Sequence, residues 1–279
     1  MKLDAHQHFW RYSPREYAWI GGDMAALRRD FLPDDLAREQ LPLGFCGSIA
    51  VQARQSLAET EWLLRLADEN ERIRGVIGWL DLCSPELSAQ LEHFAPHAKL
   101  RGVRHIVQDE SDDAFMLRDD FLRGIAQLTQ WGLTYDILIF PRHLPVACGL
   151  VQRFPEQRFV LDHMAKPRIR DGLTEPWAAD IRALAAFPNV LCKASGMVTE
   201  ADWERWTPGA IRPYLDVAFD AFGAERIMIG SDWPVCALAA SYADTIGIVM
   251  DYICGLSPAE QGQVWGRTAQ SCYHLREEP

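Results

Sequence analysis

The sequence predicts an α/β fold, a (β/α)8 TIM barrel formed by a single domain over residues 1–279. Short apolar runs rich in β-branched residues recur along the chain, and each is followed by a longer stretch with apolar residues at helical spacing. Eight such runs favour a closed parallel barrel, because eight is the strand number that closes one. A doubly wound open sheet is the alternative. It usually carries a Gly-x-Gly-x-x-Gly turn after its first strand, and this sequence has none.

The predicted elements follow one another in a regular order. A long aromatic connection, residues 9–43, separates the first two strands, and we expect it either to cover the mouth of the barrel or to close the barrel's flank. Residues 57–67 have the apolar spacing of an amphipathic helix, and Ser84-Pro85 and Ser257-Pro258 are typical helix starts. The predicted strands are Lys2–His8, Phe45–Gln52, Ile73–Asp81, Leu100–Val107, Leu133–Phe140, Phe159–His163, Val190–Ser195 and Ile227–Asp232.

Composition and charge argue against several functions. The chain is 48% hydrophobic and 24% charged, as globular proteins are, and its net charge is −11. An acidic chain without basic clusters is a poor partner for nucleic acid or for an anionic membrane surface. Its 7 cysteines are dispersed, with no Cys-x-x-Cys pair, which is typical of reduced thiols in a cytoplasmic protein. We expect no signal peptide and no membrane span, and the sequence leaves the oligomeric state open.

The most informative motif ends the first predicted strand, where one residue separates His6 from His8. Alternate residues of a strand point to the same face, so the two histidines project together, with Asp4 behind them. Two imidazoles side by side are costly in an ordinary core but suit a metal site. The alternative is an exposed polar strand end.

Polar residues also end the other predicted strands, on the side of a barrel where active sites lie. His163 ends the sixth strand and Asp232 the eighth. We predict that these two residues, together with His6 and His8, supply three nitrogens and one oxygen to a divalent ion. Gly230, on the same face as Asp232, is expected to leave room for water, metal or substrate. The alternatives are a core histidine bonded to a carbonyl at His163 and a loop-capping role for Asp232.

Three further strand residues are candidates for binding a ligand. Arg104 and His105 alternate in the fourth strand, and we favour Arg104 as the inward cation that clamps an anion or oxyanion. Lys193 lies within the seventh strand, where the alternative is a pair with a structural carboxylate. Gln52 ends the second strand.

Five motifs then occur in order from the first strand to the eighth: Asp4-Ala5-His6-Gln7-His8-Phe9-Trp10, Gly102-Val103-Arg104-His105, Leu161-Asp162-His163-Met164-Ala165-Lys166-Pro167, Lys193-Ala194-Ser195-Gly196 and Gly230-Ser231-Asp232-Trp233-Pro234. Together they resemble the amidohydrolase superfamily and, more narrowly, its sugar-lactonase branch. The resemblance covers nearly the whole chain. It implies a (β/α)8 barrel that hydrolyses the ester bond of a cyclic sugar acid, with His6, His8, His163 and Asp232 in its site.

One departure from the wider superfamily concerns the metal. Its binuclear members have a lysine or glutamate that bridges two metals at the fourth strand, and two later histidines. This chain offers Arg104 and His105 at the fourth strand, and His163 as its one clearly placed later histidine. We therefore expect either one divalent ion, with zinc as the favoured metal, or no ion, since members of this branch need not depend on metal.

The function that the resemblance implies is a lactonase, which opens the ring of an aldonolactone such as L-fuconolactone by attack of water. Asp232 and His163 are the expected catalytic residues, with Asp232 as general base and a metal or cationic side chains polarising the carbonyl. Gln52, Arg104 and Lys193 are expected to bind the substrate. The aromatic candidates for packing on a sugar ring are Trp19, Trp79 and Trp233, with core packing as the alternative for Trp79.

Two alternative functions remain at this point. A metal-dependent decarboxylase of the same superfamily shares the barrel and a similar set of histidines and aspartate. It would need its metal absolutely and would release carbon dioxide. A non-catalytic carbohydrate-binding protein is the second alternative, against which the density of costly ionisable groups argues.

Overall fold

The structure is a computed structural model that describes residues 1–275. It contains one sheet of eight parallel strands in sequential order, so the predicted α/β barrel is confirmed. Residues 276–279 of the predicted domain lie outside the described residues, and the single-domain organisation stays a prediction. The strands are β1 (Leu3–Gln7), β2 (Gly47–Val51), β3 (Ile73–Gly78), β4 (Leu100–Ile106), β5 (Thr134–Leu138), β6 (Phe159–Leu161), β7 (Val190–Ala194) and β8 (Ile227–Ile229).

A helix follows each strand and covers the outside of the barrel. The predicted start at Ser257 is confirmed, because its Oγ accepts the N–H of Glu260 at 3.3 Å at the head of a helix that begins with Pro258. At Ser84 the chain instead makes a turn, and the helix begins three residues later. The helices are α1 (Pro33–Gln40), α2 (Leu57–Glu69), α3 (Leu87–Phe94), α4 (Asp119–Leu128), α5 (Leu144–Arg153), α6 (Trp177–Ala185), α7 (Pro208–Phe222), α8 (Tyr242–Ile253), α9 (Pro258–Gly262) and α10 (Thr268–Cys272).

Two apolar cores stabilise this arrangement. The larger lies between the strands and the surrounding helices. The smaller fills the inside of the barrel, where side chains of the strands, such as Leu3 and Met228, meet Cys272 and Tyr273 from the C-terminal end of the chain. Apolar side chains therefore fill part of the interior, and the polar groups collect at the other end.

The seam between β1 and β8 is closed by the loop that follows β8. The backbone N–H of Asp232 donates to the carbonyl of His6 at 2.8 Å, and that of His8 donates to the carbonyl of Trp233 at 2.7 Å. The buried Asp4 carboxylate accepts from the Ser231 N–H at 2.9 Å and from its hydroxyl at 2.6 Å. Burial raises the pKa of Asp4 to about 6. The barrel thus closes through the segments that carry the candidate ligands.

The connection 9–43 is tied to the barrel by the buried Glu59 of α2. Its carboxylate accepts the N–H groups of Ala53 and Arg54, each at 3.0 Å, and the hydroxyl of Tyr17 at 3.3 Å. Burial raises the pKa of Glu59 to about 7.

Among residues 1–275, no helix combines the length and the apolar character needed to cross a membrane.

Candidate active site

Three of the predicted ligands meet at the seam. The Nε2 atoms of His6 and His8 lie 3.2 Å apart, and the Asp232 Oδ1 is 3.3 Å from His8 Nε2 and 3.8 Å from His6 Nε2. All three side chains are buried. Asp232 lies beyond the end of β8 with a φ of 57°, so its direction is set by the loop and not by strand alternation.

The hydrogen bonds around His8 leave its Nε2 free to bind. His8 Nδ1 is 2.8 Å from the carbonyl oxygen of Val51, which can only accept, so Nδ1 carries the proton and Nε2 presents a lone pair. A carbonyl that accepts from the other ring nitrogen in this way fixes the tautomer and the orientation of a metal-binding histidine. Tetrahedral zinc holds nitrogen and oxygen ligands at about 2 Å, which separates neighbouring ligand atoms by slightly more than 3 Å. The donor set of His6, His8 and Asp232 therefore fits a divalent ion.

His163 lies near the same Asp232 carboxylate, but it belongs to a left-handed turn and not to a strand. Its Nε2 is 3.9 Å from Asp232 Oδ1, and its Nδ1 is 2.8 Å from the Ser195 hydroxyl. The predicted extension of the sixth strand to His163 is wrong, because β6 ends at Leu161 and His163 has a φ of 53°. A Cβ on Gly196 would lie 2.6 Å from His163 Nδ1, so the absence of a side chain there makes room for the ring. Burial lowers the pKa of His163 to about 4.

Gly230 has a different role from the one predicted. A Cβ at this position would lie 2.7 Å from the Cβ of His6 and 3.1 Å from that of Ser195. The space beside Gly230 is thus filled by His6 and does not hold water, metal or substrate. This glycine lets β1 and β7 approach the end of β8 closely.

A buried ionic network supports His6 from below. Asp162 Oδ1 lies 3.3 Å from His6 Nδ1 and 2.9 Å from Lys193 Nζ, while its Oδ2 accepts from Arg104 Nη1 at 3.0 Å. Lys193 also donates to Asp136 at 2.6 Å. Burial works to raise the pKa of Asp162, but Lys193 and its other neighbours outweigh burial and hold that pKa well below its usual range.

The sequence interpretation missed Asp162 as a site residue. Alternation places Asp162 and His163 on opposite faces of a strand, so choosing His163 left Asp162 without a role. In the structure the strand has already ended, and the left-handed turn after Leu161 brings both residues inward. Their adjacency in the Leu161-Asp162-His163 motif was the one available signal.

Arg104 has the inward direction that alternation favours. It lines the cavity described below, its Nη1 is 3.3 Å from His6 Nε2, and its Nη2 donates to the carbonyl of Gln52. His105 points to the other side of β4, where its Nε2 is 2.7 Å from Glu110 Oε1 and its ring stacks on Phe115. Of these two neighbours, Arg104 is therefore the one that faces a ligand.

A cavity of about 340 Å³ opens above these groups. Its wall includes Trp19, which belongs to the connection 9–43, and Arg104 of β4. The wall also includes His8, His163 and Asp232. The other lining residues include three that the sequence interpretation did not select, namely Lys166, Glu200 and Trp203.

Three predicted substrate-binding residues are not among those that line the cavity, and their contact with a ligand stays a prediction. Lys193 is fully buried in the ionic network. Gln52 is buried beside Arg104, to whose carbonyl it donates at 3.3 Å. Trp233 packs edge to face on Phe31 at 5.3 Å between ring centroids. Each supports the site instead of lining it.

Trp79 is also absent from the wall. Its half-buried indole donates its N–H towards His105 Nδ1 at 3.4 Å.

The charges of the site favour a bound cation. Three carboxylates, those of Asp136, Asp162 and Asp232, face two permanent cations, Arg104 and Lys193. Burial works to raise the pKa of Asp232, but the surrounding histidines outweigh burial and hold it below its usual range. A buried excess of negative charge is costly, and a divalent ion beside Asp232 would offset it.

An eight-stranded parallel barrel with ionisable groups and a cavity at its carboxyl end defines an enzyme of the (β/α)8 class. The model of the amidohydrolase family matches residues 3–275. The chain belongs to the amidohydrolase family.

Named relatives agree with this assignment. An L-fucono-1,5-lactonase of Burkholderia multivorans is 45% identical over 99% of this chain and 97% of its own length. A second L-fucono-1,5-lactonase, from Burkholderia ambifaria, is 38% identical over 87% of this chain and 83% of its own length. The crystal structure of an amidohydrolase from Burkholderia multivorans with bound zinc is 45% identical, with a TM-score of 0.96, and the match covers 99% of this chain and 100% of that one. The resemblance to the sugar-lactonase branch is confirmed.

Proposed function

We propose that this enzyme hydrolyses the ester bond of a sugar lactone, an aldonolactone such as L-fuconolactone, to the open hydroxy acid. The observation that carries the proposal is the convergence of Asp232, His8 and His163 on one cavity wall next to Arg104. The two L-fucono-1,5-lactonases at 45% and 38% identity support the same substrate class.

Asp232 acts as the general base in this proposal. It removes a proton from the water that attacks the lactone carbonyl, the ring C–O bond then breaks, and the ring oxygen takes up a proton. Because the pKa of Asp232 is held below its usual range, its carboxylate is ionised at neutral pH but is a weak base. The water or the carbonyl therefore needs further activation.

His6, His8 and Asp232 would hold a single divalent ion, zinc first, with His163 beside Asp232. Such an ion supplies Lewis-acid polarisation and lowers the pKa of water. Arg104 provides a positive charge for the developing oxyanion. The remaining parts of the proposal are a cytoplasmic location and a small-molecule partner, without nucleic acid or membrane.

The test offers the purified protein a panel of aldonolactones and follows acid release with a pH indicator. We expect release by the wild type and a loss of about 10²- to 10⁴-fold in kcat/KM for Asp232→Asn, the range for a general base. Asp251→Asn, an exposed change in α8, is the matched control and should leave activity unaltered. Binding without acid release would support the carbohydrate-binding alternative, and carbon dioxide release from a carboxylated substrate would support the decarboxylase.

The metal is tested separately. Metal content is measured by elemental analysis before and after chelation, alongside activity, in the wild type and in His8→Ala. We expect about one ion per chain in the wild type, less in His8→Ala, and restoration of activity by added zinc. Full activity in metal-free protein would contradict this part of the proposal and leave hydrolysis to Asp232, His163 and Arg104.

A further inference from the structure

Lys166 and Glu200 are two charged residues on the cavity wall to which the proposed chemistry gives no role. Lys166 Nζ and Glu200 Oε1 lie 3.6 Å apart, which is close enough for an ion pair but longer than a hydrogen bond. Within residues 1–275, the side-chain oxygens of Glu200 accept no hydrogen bond of ordinary length. An ammonium with three donors and a carboxylate with two acceptors therefore face the cavity with spare capacity.

The backbone holds Lys166 in place at a considerable cost. Residues 163–166 are four consecutive non-glycine residues with φ between 52° and 59°, in the left-handed region that is unfavourable for residues with a Cβ. The turn is fixed by Trp177 Nε1, which donates to the carbonyl of Met164 at 2.7 Å, and by the Lys166 N–H, which donates to that of His163 at 2.8 Å.

Both ends of this strained turn, His163 and Lys166, line the cavity. Strain of this kind persists where the surroundings enforce it, and it clusters at active sites. The direction of Lys166 is thus fixed by the same turn that directs His163. The Phe140 ring lies 5.6 Å below the ammonium and further restricts it.

The chemistry of the pair suits a sugar. A hydroxyl group both donates and accepts, so two adjacent hydroxyls can accept from an ammonium and donate to a carboxylate placed side by side. Trp203, whose indole N–H is occupied by the carbonyl of Thr199 at 2.9 Å, adds an aromatic surface to the same wall. Such a surface packs on the apolar face of a ring.

We propose that Lys166 and Glu200 bind two adjacent hydroxyl groups of the lactone ring and thereby determine which sugar lactones the enzyme accepts. The inference rests on the proposed function, which it extends from the reacting carbonyl to the rest of the substrate. Neither residue takes part in proton transfer.

The experiment pairs each residue with a substrate hydroxyl. The kcat and KM of the wild type, Lys166→Met and Glu200→Gln are measured on the best lactone of the panel and on its analogues that lack one ring hydroxyl each. We expect each variant to lose about 10- to 100-fold in kcat/KM on the full lactone, the effect of one hydrogen bond to a charged group, mainly through KM. For each variant, one deoxy analogue lacks the hydroxyl that the replaced residue binds. On that analogue the kcat/KM of the variant and of the wild type should differ far less, because the hydrogen bond is already missing in both.

Arg168→Met is the matched control, since Arg168 is an exposed cation two residues beyond Lys166 and does not line the cavity. Thermal unfolding of each variant checks that the strained turn has survived. Equal losses on the full lactone and on every deoxy analogue, or no loss at all, would overturn the inference while leaving lactone hydrolysis intact. A wild type that hydrolyses none of the lactones would contradict the proposed function and this inference together.

Discussion

Replacing Lys193 by methionine should destabilise the barrel more than any surface change. Lys193 is fully buried, and its ammonium lies 2.6 Å from Asp136 Oδ2 and 2.9 Å from Asp162 Oδ1. Methionine preserves most of the side-chain volume, so the effect reports the charge. Asp162 keeps Arg104 as a partner, whereas Asp136 keeps, among residues 1–275, the hydroxyls of Tyr273 at 2.9 Å and Thr134 at 3.1 Å.

The expected loss in the free energy of unfolding is about 3–5 kcal/mol, the cost of leaving a buried charge without its partner. This is a large share of the roughly 5–15 kcal/mol that stabilises a typical domain. Burial already raises the pKa of Asp136, and without Lys193 it should rise further. The folded variant then binds a proton that the unfolded chain releases, so its stability is greatest at low pH and falls as the pH rises.

Urea unfolding followed by circular dichroism at pH 5.5 and pH 8 measures both effects. Lys99→Met is the control, because Lys99 is half-buried and donates to a single carbonyl, that of Ile73 at 2.8 Å, and its loss should cost about 1 kcal/mol. Adding Asp136→Asn to Lys193→Met should recover about 1–3 kcal/mol, because the unpaired charge disappears. A loss below about 1 kcal/mol for Lys193→Met, with additive behaviour in the double variant, would refute the reasoning.

Two further changes test the backbone and the anchor of the connection 9–43. Gly196→Ala should lower the free energy of unfolding by about 1–2 kcal/mol, because Gly196 has a φ of 66° that alanine disfavours. It should also lower kcat/KM by about 100-fold, because the new Cβ displaces His163. Gly172→Ala, with the same φ and nothing within 4 Å, should lose only the stability, and equal kinetics in the two variants would contradict the argument. The pKa of Glu59 is about 7 in the folded protein, against an ordinary value of 4.5. Proton binding by Glu59 therefore stabilises the folded protein in full below pH 4.5, and this stabilisation is lost as the pH rises through 7. In urea titrations the wild type should become less stable over that interval. Glu59→Gln should lose less, because only the raised pKa of groups common to both proteins, such as Asp4, still acts. Parallel curves would contradict the assignment.

Much of the architecture follows from the sequence because it depends on local patterns. Eight β-rich runs predict eight strands, and alternation within β4 distinguishes Arg104 from His105. The histidine pair at the end of β1 needs only the two-residue period of a strand. These predictions hold because Arg104, His105 and His6 lie within strands and His8 directly follows β1.

Where the chain leaves the strand, the sequence contains no comparable rule. The left-handed turn at residues 163–166 contains no glycine that would indicate it in the sequence. The roles of Asp162 and Lys166 were therefore not predictable from strand alternation. Alternation also gives the direction of a side chain but not its depth. Lys193 does point inward, yet it ends below the cavity in a network whose carboxylates come from β5 and from the turn after β6.

The closure of the seam also has a kinetic consequence. Asp4 and Ser231 are 227 residues apart in sequence, and the histidines of β1 meet Asp232 across the same seam. Contacts of such long sequence separation form late, because the chain between them must first be ordered. The candidate site is therefore assembled by the joining of the first and last strands. During refolding, the return of hydrolytic activity should report the completion of the ring, later than the signals of its individual helices.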